Sequence, residues 1–157
     1  MVPGMKSRVH FEDTGTVYDA PLEALWDFLH DEEFHPEAHK GTLRNFRWKD
    51  VSEITGMASC EVQVSGHWIK KKSRITTIPP IARIQEELTG RYAGSKIVYI
   101  YTPKGTKTGV DVFAELASDT SSPEELENEW RQTLTGAFNE DVPWLRKFVQ
   151  RRSRKES

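Results

Sequence analysis

Residues 121–152 read SSPEELENEWRQTLTGAFNEDVPWLRKFVQRR. Ser122 is suited to cap a helix whose first residue is Pro123, and Glu125 three positions on completes a capping box. Leu126, Trp130, Leu134, Ala137, Phe138, Val142, Leu145, Phe148 and Val149 recur at helical spacing and predict one apolar stripe. A helix from 123 to 151 would be about 43 Å long at 1.5 Å per residue. A rod of that length has to cross the whole of a small domain. Pro143 lies deep inside it, with Gly136 behind, and is expected to push against the Asn139 carbonyl and bend the helix.

Upstream, from Thr42 to Asp119, the period changes to two. In MASCEVQVSG, Ala58, Cys60, Val62 and Val64 point one way, and Ser59, Glu61, Gln63 and Ser65 the other. HWIKKKSRITTI, ARIQEELTG, KIVYIYTP and VDVFAELAS follow, separated by Pro79-Pro80, by Gly90 and Gly94, and by the loop TPKGTKTG. In ARIQEELTG the apolar Ala82, Ile84 and Leu88 share a face. Connections this short hold no crossover, so consecutive strands pair antiparallel. Residues 8–18 add one more strand, interrupted at Gly15. LEALWDFL then places Leu22, Leu25, Trp26 and Leu29 on one helical face, with Asp19 as cap and Pro21 inside the first turn. A second helical turn follows and ends at Gly41. The order is strand, two short helices, six strands and one long helix. A twisted antiparallel sheet of about seven strands curls, and a rod across its concave side leaves an elongated hollow.

This opening resembles a known group. TGTVYDAPLEALWDFLHDEE, residues 14–33, is similar to the entry into the START-like, polyketide cyclase-dehydrase and lipid-transport (SRPBCC) superfamily, through Ala20, Pro21 and Trp26. The element order agrees over nearly the whole chain. The resemblance implies an α+β helix-grip fold: a curved antiparallel sheet wrapped around a long C-terminal helix, with a hydrophobic cavity between them. Its members include lipid and hormone carriers and aromatase-cyclases, and no catalytic set is common to them. Residues 1–152 are expected to form a single helix-grip domain, and 153–157 a frayed basic tail.

Composition narrows the partners. The 157 residues are 36% hydrophobic and 29% charged, with a net charge of −2. Such a body has no field to draw in nucleic acid, and no apolar run is long enough for a transmembrane helix. The start MVPGMKSRVH lacks the apolar centre of a secretory signal, and the lone Cys60 excludes an internal disulfide. A cytoplasmic protein, monomeric or weakly dimeric, is expected, with no cofactor.

Three readings of function remain. The first is a binder of a small hydrophobic or amphipathic molecule with one polar end. The second is a cyclase or dehydratase-like enzyme using the same cavity, its catalytic residues unspecified. The third is a protein-interaction domain whose hollow is filled by its own aromatics. Candidate ligand contacts are Trp26, Trp48, Trp68, Tyr99, Tyr101, Phe113, Trp130 and Phe138, which pair an apolar body with, in Trp and Tyr, a polar tip. Glu115 is a candidate if it points inward, where burial would raise its pKa. HWIKKKSRITTI has no wholly apolar face. One cation, Arg74 or Lys72, is therefore a candidate for an anionic head group, and a cross-strand salt-bridge face in water is the competing reading. Finally, LHDEEFHPEAHKG, residues 29–41, sets His35 and His39 four apart. That spacing suits a metal on a helix, but Pro36 is expected to break the face, so the segment reads as an acid-rich rim of the cavity and no metal is expected.

Overall fold

In a computed structural model of the chain, which describes residues 6–64 and 66–156, period two becomes seven strands. They are β1 (Ser7–Tyr18), β2 (Leu43–Asp50), β3 (Thr55–Val64), β4 (His67–Ile78), β5 (Ala82–Thr89), β6 (Lys96–Lys104) and β7 (Lys107–Ser118). Their order across the sheet is β1-β7-β6-β5-β4-β3-β2, every neighbour antiparallel. The chain thus pairs consecutive strands from β2 to β7 and returns β1 to the far edge, beside β7. Of the segment read for a secretory signal, residues 1–5 lie outside the described residues, as does Ser65, while 7–10 belong to β1.

Gly15 does interrupt β1. Its φ is +88°, a region open to glycine, and the register slips between Asp13 and Thr16. TPKGTKTG is less of a loop than expected, because β6 runs to Lys104 and β7 starts at Lys107. Between β1 and β2 lie α1 (Leu22–Leu29) and α2 (Phe34–Ala38). Pro21, not Asp19, occupies the N-cap of α1, and no side chain caps it.

The long helix α3 runs from Pro123 to Glu156. The Glu125 amide donates to Ser122 Oγ at 3.2 Å, which is the cap read from the sequence. The helix continues through Pro143, and Asn139, whose carbonyl loses its donor there, is exposed. Residues 153–156, expected to fray, are helical.

The core explains why a hollow exists. Phe11, Ile97, Val112, Ala114 and Leu116 form the sheet's buried face. At one end of α3, Leu126 and Trp130 are buried, Trp130 meets Tyr92 edge-on at 5.6 Å, and Glu129 pairs with Arg91 at 2.7 Å. At the other end, Leu145 is buried and Phe148 packs on Phe28 and Phe34 at 5.7 and 5.6 Å. Arg152 reaches Asp27 of α1 at 2.6 Å. Between these anchors the helix presents Leu134, Phe138 and Asp141 toward the sheet, flanked by the small Thr133, Gly136 and Ala137, and a cavity remains beneath them.

Candidate functional site

The resulting cavity has a volume of about 720 Å³ and is partly open to solvent. It is bounded by α3 from Glu129 to Asp141, by His35 and His39, and by inward residues of β1 and β3–β7. Its apolar wall comes from Val62, Val64, Val110, Val112, Leu134 and Phe138. The hollow is therefore not filled by the chain's own aromatics.

The sheet's polar contribution comes from β5. Cross-strand partners share a face, and Arg83 and Gln85 sit opposite Tyr99 and Ile97 of β6. Arg83, Gln85 and Glu87 therefore face the helix, while Ala82, Ile84 and Leu88 face away. Glu87 is 3% exposed. Its carboxylate accepts from Lys71 Nζ at 3.1 Å and Ser73 Oγ at 2.8 Å, and from Gln85. Arg83 stands over the Tyr99 ring at 5.4 Å. Burial pushes the phenols of Tyr99 and Tyr101 up, and Arg83's charge draws both partly back, so they remain hydroxyl donors at neutral pH.

The second polar group joins α2 to α3. Pro36 does not break α2. It lies in the first turn, where its missing N–H would have had no intrahelical partner. His35 and His39 therefore stay one turn apart on one face, their rings 4.7 Å apart. Their Nε2 atoms are 3.1 Å from each other and lie 3.7 and 2.8 Å from Asp141 Oδ1. Asp141 is 3% exposed. Tyr18 Oη donates to its Oδ2 at 3.3 Å, and His39 Nδ1 faces Glu140 Oε1 at 3.4 Å. Burial holds His35 well below the ordinary histidine range, helped by the charges of His39, Arg83 and His30. Burial also pulls on His39, but contact with Asp141 and Glu140 outweighs it and leaves that imidazole raised. Burial, then the Asp141 charge, pushes the Tyr18 phenol far up.

Among the described residues, four buried side-chain polar atoms lack a hydrogen bond: Arg83 Nε, Arg91 Nε, Trp130 Nε1 and Asp141 Oδ1. Three of the four belong to cavity-lining residues. Native interiors leave few such atoms, and each calls for a partner.

The candidates read from sequence divide in two. Tyr99, Tyr101, Trp130 and Phe138 line the cavity. Trp26 supports it from behind, its ring edge-on to Tyr101 at 5.7 Å. The others lie elsewhere. Trp48 is exposed because it lies flat over Gly56, where a Cβ would come within 1.9 Å of its ring, and its Nε1 donates to Asp50. Trp68 is on the face away from α3, under the Arg44 guanidinium at 4.1 Å. The inward face of β4 is that of Lys71 and Ser73. Arg74 therefore points out, 3.9 Å from Glu86, and Lys72 shares its exposed face. Phe113 and Glu115 alternate with the buried Val112 and Ala114, so they also face away. Glu115 meets solvent and His10 Nδ1 at 2.6 Å.

Comparison with solved structures settles the architecture. The Zhui aromatase/cyclase from a Streptomyces strain superposes with a TM-score of 0.72 at 14% identity, over 93% of this chain and 96% of that one. The fold is START-like. A START superfamily protein from Mycobacterium smegmatis gives 0.73 at 11% identity, covering 89% and 97%. Norcoclaurine synthase from Thalictrum flavum, solved in complex with dopamine and hydroxybenzaldehyde, gives 0.60 at 10%, covering 94% and 88%. No sequence family and no curated sequence matches the chain. This START-like chain keeps the strand–helix–sheet–helix order of the group, and no helix among its described residues is long and apolar enough to cross a membrane.

Proposed function

We propose that the chain binds a small, largely apolar molecule in the cavity between sheet and α3, and that the molecule's polar end is a hydrogen-bond acceptor. The observation that carries this is the cavity's mixed lining, a mostly apolar wall in which Arg83, Gln85, Tyr99 and Tyr101 are set together. A hydrogen bond to a charged group such as the Arg83 guanidinium is worth about 1.5–3 kcal/mol, which an incoming carboxylate, phenolate or carbonyl can make. The apolar wall supplies affinity by desolvation, and Arg83, with the Tyr99 and Tyr101 hydroxyls, orients the polar end. The volume suits such a guest, and norcoclaurine synthase, of similar fold, has been seen with two small aromatics.

A second reading is a cyclase or dehydratase acting in the same space. It is favoured by the two buried phenols beside a guanidinium, an arrangement that polarises a substrate carbonyl. Anilinonaphthalene sulfonate, an apolar fluorophore with an anionic end, tests the binding reading against its uncharged relative N-phenylnaphthylamine. Both are expected to bind one per chain. Arg83→Met is expected to weaken the sulfonate about tenfold or more and to spare the neutral dye, since a bond to a charged group is worth about 1.5–3 kcal/mol. Equal weakening of both, or no saturable site in the wild type, would defeat this assignment.

A further inference from the structure

We propose that His35, His39 and Asp141 form a binding site for one first-row transition-metal dication, whose remaining coordination positions open into the cavity. Imidazole Nε2 of His35, imidazole Nε2 of His39 and carboxylate Oδ1 of Asp141 lie within 4.8 Å of one another. They come from two elements, α2 and α3, whose packing brings them together. Their separations of 2.8, 3.1 and 3.7 Å bracket the distances between adjacent ligands of an ion bound at about 2.1 Å, which are about 3.0 Å in an octahedron and 3.4 Å in a tetrahedron. A point about 2.1 Å from all three atoms lies about 0.9 Å off the plane they define, so the three separations admit an ion at ordinary ligand distances.

The cluster also lacks what it needs as it stands. Three metal-ligating atoms are equidistant from that point, and Asp141 Oδ1 is buried without an aligned hydrogen bond although His39 Nε2 is close by. A cation at that point would satisfy all three. The outer contacts have the pattern that orients metal ligands: Glu140 faces the far nitrogen of His39, Tyr18 donates to the far oxygen of Asp141, and Phe28 meets the His35 ring edge-on at 5.5 Å. The Asp141 and Glu140 carboxylates together balance a double positive charge. Two imidazoles with one carboxylate suit Fe²⁺, Co²⁺, Ni²⁺ or Zn²⁺. Calcium and magnesium prefer all-oxygen shells, and copper(I) prefers sulfur. Because all three donors line the cavity, the open positions would face whatever occupies it. The site does not depend on the identity of that occupant.

The test uses full-length, tag-free, chelator-treated protein titrated with Co²⁺ alone, followed by calorimetry and visible absorption. One equivalent is expected to bind and to give d–d bands of a nitrogen–oxygen site. His39→Gln and Asp141→Asn are expected to weaken binding at least about tenfold. His10→Gln, which alters a surface histidine held by Glu12 and Glu115, is expected to leave it unchanged. Should either site variant fail to fold, proton–nitrogen correlation spectra of the wild type with Zn²⁺ decide the matter. Both Nε2 resonances, of His35 and His39, are expected to shift together at one equivalent. No saturable Co²⁺ binding, binding lost in His10→Gln, or Nε2 resonances that stay in place would overturn the proposal and leave a shared proton as the glue of the cluster.

Discussion

Removing either member of the Lys71–Glu87 pair tests whether the sheet's inward polar patch is structural. The Glu87 side chain is 1% exposed and that of Lys71 18%, so the two singles should differ. Glu87→Leu strands a lysine that still reaches water by extending toward the cavity. Its cost is expected at the low end for a broken buried pair, about 3 kcal/mol. Lys71→Met leaves the carboxylate with two neutral donors, Ser73 and Gln85, and no route to solvent. The most this can cost is what protonating a carboxyl would. A carboxyl titrating near 4.3 in water needs about 3.7 kcal/mol to be neutral at pH 7. Lys71→Met is therefore expected to cost slightly more than Glu87→Leu, bounded near 4 kcal/mol. A carboxyl whose folded pKa has been raised gains stability as pH falls, so this deficit should shrink toward pH 5. The double variant, with neither charge left, should lie within about 1 kcal/mol of wild type. Urea denaturation at pH 7 and pH 5 measures all four corners of the cycle. A coupling below about 1 kcal/mol, or a Lys71→Met deficit that grows on acidification, would refute the placement of this pair in the interior.

Gly56→Ala is expected to displace the Trp48 ring, which occupies the space of the added methyl, and to change tryptophan emission with a loss of about 1 kcal/mol; unchanged emission would contradict the stacking. His10, bonded to Glu12 and Glu115, is expected to titrate above the ordinary histidine value, and Glu115→Gln should bring it down by NMR. With a raised folded pKa, any stability it contributes is present below pH 6.5 and is lost as pH rises through that pKa.

The long helix was legible because its information is local: Ser122 caps it and a 3.6-residue stripe runs its length. The strands were legible because period two is equally local. What alternation leaves open is which face turns inward. On β5 the apolar Ala82, Ile84 and Leu88 share a face, yet Arg83, Gln85 and Glu87 are the inward set, and Lys71 and Ser73 on the neighbouring strand supply partners for Glu87. That choice depends on two strands at once. The orientation of Glu115, which alternation left open, and that of Phe113 are set in the same way, and Pro36 misled because its effect depends on its position within the turn.

One signal was present and went unread. Trp130, Leu134, Phe138, Asp141, Leu145 and Phe148 follow one another at steps of four or three along α3. Asp141 is the single charged member of a stripe that otherwise meets the interior. An acid in an apolar stripe costs free energy unless something compensates it. The same holds for Arg83 on β5, and both residues line the same hollow. Local rules fail together at positions selected for something other than packing. Here those positions, in the middle of the last helix and on the fifth strand, are two walls of one cavity.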